Sequence, residues 1–217
     1  MLRGMTPEDL VRSATARQAV PLVDEISLLT AAPALELWEL WQQTGRDDPP
    51  FWAYPWAGGQ ALARYLLDHP GTVRGRRVLD VASGSGLVAI AAAQAGAASV
   101  AAGDIDPQAV AAITANALAN GVPVDARVFD LAGEDAGDAE VVLAGDVFYQ
   151  RQLAELALRF LRAAAGAGAD VLVADPGRAF VPVDSLTALA RYQVPVLTAI
   201  EDAPVKTVTV YRLDQSR

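Results

Sequence analysis

From residue 76 onward the chain alternates short apolar runs with alanine-rich segments, and this alternation restricts the fold more than any other feature. Residues 77–81, 99–103, 124–129, 140–145 and 169–174 read as strands, and 87–95, 107–119, 150–165 and 182–192 as helices. Such a β/α succession implies a parallel sheet with helices on both faces. The end of the chain breaks the rule. Residues 194–200 and 207–213 read as strands joined by about six residues, too few for a parallel crossover, so they form an antiparallel hairpin. The expected fold is α/β: a Rossmann-like doubly wound sheet of seven strands, mostly parallel, with a C-terminal antiparallel hairpin. Six parallel strands, the usual dinucleotide-binding arrangement, are not what this pattern gives.

Upstream, residues 6–44 read as helical. Thr6-Pro7-Glu8-Asp9 has a cap residue, a first-turn proline and acids, Leu22, Ile26, Leu28 and Leu29 continue an apolar face, and Pro33 starts a second helix carrying Trp38 and Trp41. These helices form an extension, residues 1–50, packed on a core domain of 51–217, and the two tryptophans pack against that core. Between them, Phe51-Trp52-Ala53-Tyr54-Pro55-Trp56 puts four aromatics in six residues, in a chain that is 6% aromatic. This loop feeds a helix through Ala61, Leu62, Tyr65 and Leu66 that ends near His69-Pro70-Gly71.

Val78-Leu79-Asp80-Val81-Ala82-Ser83-Gly84-Ser85-Gly86 joins the first core strand to a helix. Glycines 84 and 86 permit a sharp turn, and the helix behind them aims its first N–H groups at the space above. The nicotinamide fingerprint G-x-G-x-x-G would have its third glycine at Ala89, a tolerated variant. Asp80 changes the reading. A carboxylate four residues before Gly84 opposes a pyrophosphate and suits a cationic or amino-bearing ligand. Asp104 ends the next strand, where a doubly wound fold places the acceptor for ribose hydroxyls. Asp130 ends the third and could accept from an adenine amino group. Asp106-Pro107 reads as a helix cap.

Composition excludes several chemistries. There is no cysteine and one histidine, so disulfides, thiolate nucleophiles and multi-histidine metal clusters are out, and no metal is expected. His69 reads as a helix-end residue. A net charge of −9 gives no electrostatic footprint for nucleic acid. No apolar run approaches the roughly 18–20 residues of a membrane span, and the first residues lack a signal core, so the expected setting is cytoplasmic.

On these residues the chain resembles, from residue 51 to its end, a class I S-adenosylmethionine-dependent methyltransferase. Phe51–Leu66 and Gly145-Asp146-Val147-Phe148-Tyr149 narrow the resemblance to the seven-β-strand protein-lysine methyltransferases, especially those acting on the electron transfer flavoprotein β subunit. The resemblance implies S-adenosyl-L-methionine as cofactor and S-adenosyl-L-homocysteine as product. Asp80, Ala82, Gly84 and Gly86 would surround the methionine part, with Ala82 standing where a glycine is usual. Asp104 would hold the ribose, with Ile105 beside it in the cofactor-binding set. Asp130 and Leu131 would flank the adenine, and Trp56 and Gly59 would close the pocket. Asp146 and Tyr149 would be the catalytic pair bordering the transfer channel. The implied acceptor is a protein lysine. A small-molecule N-methyltransferase, a nicotinamide-dependent oxidoreductase and a non-catalytic cofactor-binding module are the alternatives.

Overall fold

The computed structural model describes residues 6–31, 37, 49–198 and 202–214. Its centre is a seven-stranded sheet. Strands β3 (Arg77–Val81), β4 (Ser99–Asp104), β5 (Asp125–Val128), β6 (Val141–Gly145) and β7 (Asp170–Asp175) are parallel, and β8 (Leu186–Pro195) and β9 (Val205–Leu213) close the sheet as an antiparallel hairpin. The order is β5-β4-β3-β6-β7-β9-β8, so strand order reverses between β3 and β6. Crevices at such a reversal, outside the carboxyl ends of the strands, are where open α/β sheets bind ligands.

Alternating residues of each strand feed opposite faces, as the pleat requires. Val78, Val100, Leu143 and Leu172 pack on one side with Leu62 of α2 (Ala57–Asp68), Val88 of α3 (Leu87–Gln94) and Ile113 of α4 (Pro107–Ala119). Leu79, Val142, Val171 and Val173 pack on the other with Phe160 and Leu161 of α5 (Arg151–Gly166). Small residues let these layers close. A Cβ on Gly103 would lie 2.4 Å from the Phe129 side chain. His69 is the C-terminal cap of α2, its N–H donating to Tyr65.

Two segments depart from the helices expected of them. In the N-terminal stretch α1 (Pro7–Ala14) is helical, with Thr6 accepting from Asp9 as its cap, and so is Leu37. Residues 16–30 form a hairpin, β1 (Ala16–Val20) and β2 (Val23–Thr30). Val23, Ile26, Leu28 and Thr30 are buried at a spacing close to two, the period of a strand. The outer N–H groups of β2 are satisfied by helix α4 and its C-terminal cap: Leu29 donates to Asn116 at 2.7 Å and Ser27 to Asn120 at 3.1 Å. Those side-chain acceptors let a two-stranded unit persist beside the main sheet. Pro33, Trp38 and Trp41 lie outside the described residues.

The second departure is residues 182–192, which form a short 3-10 turn at Val183–Ser185 and then β8. Alanine and leucine favour helix locally, but pairing along β9 from Leu186 to Pro195 overrides that preference. The hairpin itself is as expected, displaced toward the N-terminus.

Candidate active site

The turn after β3 runs through the left-handed region three times, at Ala82 (φ 49°), Gly84 (φ 55°) and Gly86 (φ 84°). Glycine enters that region without cost, whereas alanine loses about 1–2 kcal/mol there. Ala82 therefore carries strain where a glycine would carry none. Asp80 at the base of the turn is buried, and its Oδ2 accepts from the Ser83 hydroxyl and, at 3.2 Å, from Ala89 N–H in the first turn of α3. Asp104 braces the same turn from β4: one oxygen accepts from Gly84 N–H at 2.9 Å, the other from Asp106 N–H at 3.0 Å. Burial pushes the Asp80 carboxyl up to about 7, against the Ser83 and Ala89 hydrogen bonds and with Asp104's charge adding to the rise. Burial also raises Asp104, opposed by the Asp106 and Gly84 N–H groups. Asp106 caps α4 by accepting from Gln108 at 3.0 Å.

Asn116 was not anticipated as part of this loop. Buried on α4, it donates to Ser85 O at 2.8 Å while accepting from Leu29 of the N-terminal hairpin. One amide thus ties the hairpin to the glycine turn.

Across the strand-order reversal, Asp146 follows β6 with φ 59°. Ala82 and Asp146 are the two non-glycine residues of positive φ among the described residues, and both line the crevice. Strain of this kind persists where surrounding structure fixes it, and it gathers at functional sites. Here the fixing is visible. Asp146 N–H donates to Ala174 O at 3.0 Å, and its Oδ2 accepts from Gly59 N–H at 2.9 Å in the first turn of α2. Helix α2 reaches it because Gly58 has no side chain: a Cβ there would sit 2.5 Å from Ala174 O and 2.6 Å from Asp146 Oδ2. The other oxygen of Asp146 is paired with Arg178. Sequence reading missed Arg178 and its support, Asp175, whose Oδ1 accepts from the Gly177 and Arg178 N–H groups at 2.7 Å each.

Between the two rims lies a cavity of about 720 Å³, well within the size range of small-molecule sites. Trp56, Gly59, Asp80, Ala82, Gly84, Asp104, Ile105, Asp146 and Tyr149 all line it. Gly86, Asp130 and Leu131 do not. Gly86 allows α3 to pass Ile113, since a Cβ would lie 3.2 Å from it. Asp130 turns its carboxylate back onto Ala132 N–H at 2.8 Å, and Leu131 packs against the core on the α5 face. One wall is aromatic: the Phe51 ring lies 5.7 Å from Trp56 and 5.3 Å from Tyr149.

The donor set discriminates between cofactors. A buried carboxylate, Asp80, and a half-buried one, Asp104, sit on the glycine-turn side, and the lining's arginine, Arg178, is on the far side beside Asp146. A pyrophosphate would meet carboxylates where it needs N–H groups and cations. A sulfonium with an amino group and a ribose fits.

Comparison with known proteins agrees. The family model for ribosomal protein L11 methyltransferase (PrmA) matches residues 61–164. The electron transfer flavoprotein beta subunit lysine methyltransferase of Xenopus laevis is 38% identical over 96% of this chain and 87% of its own length. This chain belongs to that family. It is a methyltransferase whose cofactor is S-adenosylmethionine. Among solved structures, a Pyrococcus horikoshii protein assigned as an RNA methyltransferase superposes with a TM-score of 0.59 at 17% identity, covering 79% of this chain and 91% of that one. Magnesium protoporphyrin IX methyltransferase from Synechocystis, with bound S-adenosylhomocysteine, gives 0.51 at 15% identity over 73% and 82%. At those identities the likeness is one of fold. No helix among the described residues is long and apolar enough to cross a membrane.

Proposed function

We propose that this methyltransferase acts on a protein lysine amine, with the electron transfer flavoprotein β subunit as acceptor. The observation that carries the reading is the 38% identity along nearly the whole chain to a relative named for that activity. The L11 methyltransferase model, by contrast, stops at residue 164, before Arg178. It covers the glycine turn and not the whole acceptor side.

S-adenosylmethionine supplies a methyl group already activated by its sulfonium. The chain's own residues bind, align and exclude water. Asp80, Ala82 and Gly84 would hold the methionine part and Asp104 would accept from the ribose, with Ile105 lining the cofactor side beside it. Gly86 shapes the turn from behind. Asp130 and Leu131, outside the cavity, act on the adenine only through the chain that follows β5. Trp56 and Gly59 close the opposite wall, and Asp146 and Tyr149 border the acceptor channel. Asp146 is a poor general base, because each of its oxygens already accepts a hydrogen bond. Its role is to orient. The aromatic wall desolvates an incoming ammonium, which favours loss of its proton from an ordinary pKa of about 10.4.

The methyltransferase unit is taken as residues 51–217, with 1–50 as an extension, acting in the cytoplasm without nucleic acid. Purified electron transfer flavoprotein incubated with the enzyme and methyl-labelled cofactor should acquire label on lysine of its β subunit. Label appearing only on members of a metabolite panel of amines would overturn the acceptor assignment.

A further inference from the structure

We propose that Arg178 is a positioning residue for the transfer, whose charge, held against Asp146 at the channel, keeps the acceptor amine deprotonated. The inference rests on the amine-transfer reading above and deepens it.

An amine accepts a methyl group only through its lone pair, so the protonated form is inert. A lone carboxylate at the channel would attract the ammonium and hold its proton on. Asp146 would do this if it stood alone: its side chain is 12% exposed and lines the cavity. It does not stand alone. Its Oδ2 is occupied by Gly59 N–H and its Oδ1 by the Arg178 guanidinium, itself 21% exposed.

Arg178 is held there by construction. Asp175, at the end of β7 and almost fully buried, accepts from the Gly177 and Arg178 backbone N–H groups through Oδ1. Its Oδ2 has no hydrogen-bond partner and lies 3.7 Å from the Arg178 guanidinium. The left-handed Gly177, φ 88°, turns the loop so that the arginine bridges the ends of β6 and β7.

The other groups near the channel do not substitute for it. Tyr149 follows β6, and Asp80, Asp104 and Asp106 line the cofactor side of the cavity. Arg151, at the start of α5, stacks on the Phe180 ring instead. Whatever the charge on Asp175, removing Arg178 makes the channel more negative by one and favours the ammonium. Removing the charge of Asp146 does the opposite. A purely structural bridge would not produce opposite signs.

Hexylamine carrying carbon-13 next to its nitrogen, bound to enzyme saturated with S-adenosylhomocysteine, reports its own protonation by chemical shift. In the wild type the bound amine should titrate below its value in water. Arg178→Gln should raise that value by about one pH unit, Arg178→Lys should restore it, and Asp146→Asn should lower it. An unchanged or lowered value in Arg178→Gln, or hexylamine failing to bind the wild type, overturns the proposal. If Arg178→Gln does not fold, the Asp146→Asn result decides, and a value that stays or rises overturns it equally. Label transfer to electron transfer flavoprotein is measured in parallel. Its absence, with the amine shifts as expected, removes the acceptor assignment and leaves the role of Arg178 standing.

Discussion

The two rims of the cavity are built by different means. On the glycine-turn side, Asp80, Ser83, Gly84, Ala89, Asp104 and Asp106 bond to one another within a stretch of 27 residues. On the acceptor side, Asp146 is joined to Gly59, 87 residues away, and to Arg178, 32 residues away. The first rim is held mainly within one β-turn-α-β unit, and the second by contacts between elements distant in sequence. The first should therefore tolerate change in the surrounding packing, and the second should fail when the packing of α2 or the β7 loop fails.

The largest effect expected is at Asp146. Asp146→Ala removes the acceptor for Gly59 N–H and leaves Arg178 without its carboxylate, so the transfer rate should fall at least about a hundredfold. Stability should drop by only about 1–3 kcal/mol, as read by urea unfolding beside single-turnover transfer. Full transfer in a folded variant would dissolve the distinction between the rims.

Gly58→Ala tests the same rim through packing. The added Cβ meets Ala174 O and the Asp146 carboxylate, so unfolding free energy should fall by about 1–3 kcal/mol even though alanine suits a helix better by ~1 kcal/mol. On the other rim, Asp104→Ala should weaken S-adenosylhomocysteine about tenfold or more by calorimetry, the equivalent of ~1.4 kcal/mol, with little change in the unfolding midpoint.

Asp80 gives a pH signature confined to the cofactor side. Folded, it keeps its proton to about pH 7, whereas unfolded it loses it near pH ~3.9. Its contribution to stability is thus complete below the unfolded value and lost as pH rises to about 7. Cofactor binding has the opposite dependence, because a cation prefers the ionised carboxylate. Affinity for S-adenosylhomocysteine should rise severalfold from pH 6 to 8, and Asp80→Asn should flatten the profile. The smallest effect is at Asp130. Its carboxylate faces away from the cavity, so Asp130→Ala should alter cofactor affinity less than about twofold; a larger loss would return the residue to the site.

What could be read from the sequence follows the same division. The glycine turn, Asp80 and Asp104 were legible because strand ends recur at fixed spacing and their contacts are short-range. Asp146 and Tyr149 came from a local motif. Arg178 and Asn116 did not, since nothing near them in sequence marks a partner 32 or 31 residues away. The fold shows the same limit. Strands β6 and β7 are near-continuous apolar runs buried on both faces, and such runs are legible. Residues 16–30 and 186–192 read as helix because their apolar spacing fits either period, and pairing in β1–β2 and β8–β9 decides between them.

The central claim is that the glycine turn and its carboxylates hold the methyl donor with its reactive end toward Asp146. A crystal structure with S-adenosylhomocysteine tests it most directly. The ligand should fill the cavity with its ribose hydroxyls on Asp104 and its sulfur facing the Asp146–Arg178 pair. A ligand bound elsewhere, or one lying with its adenine at Asp146, would contradict the account.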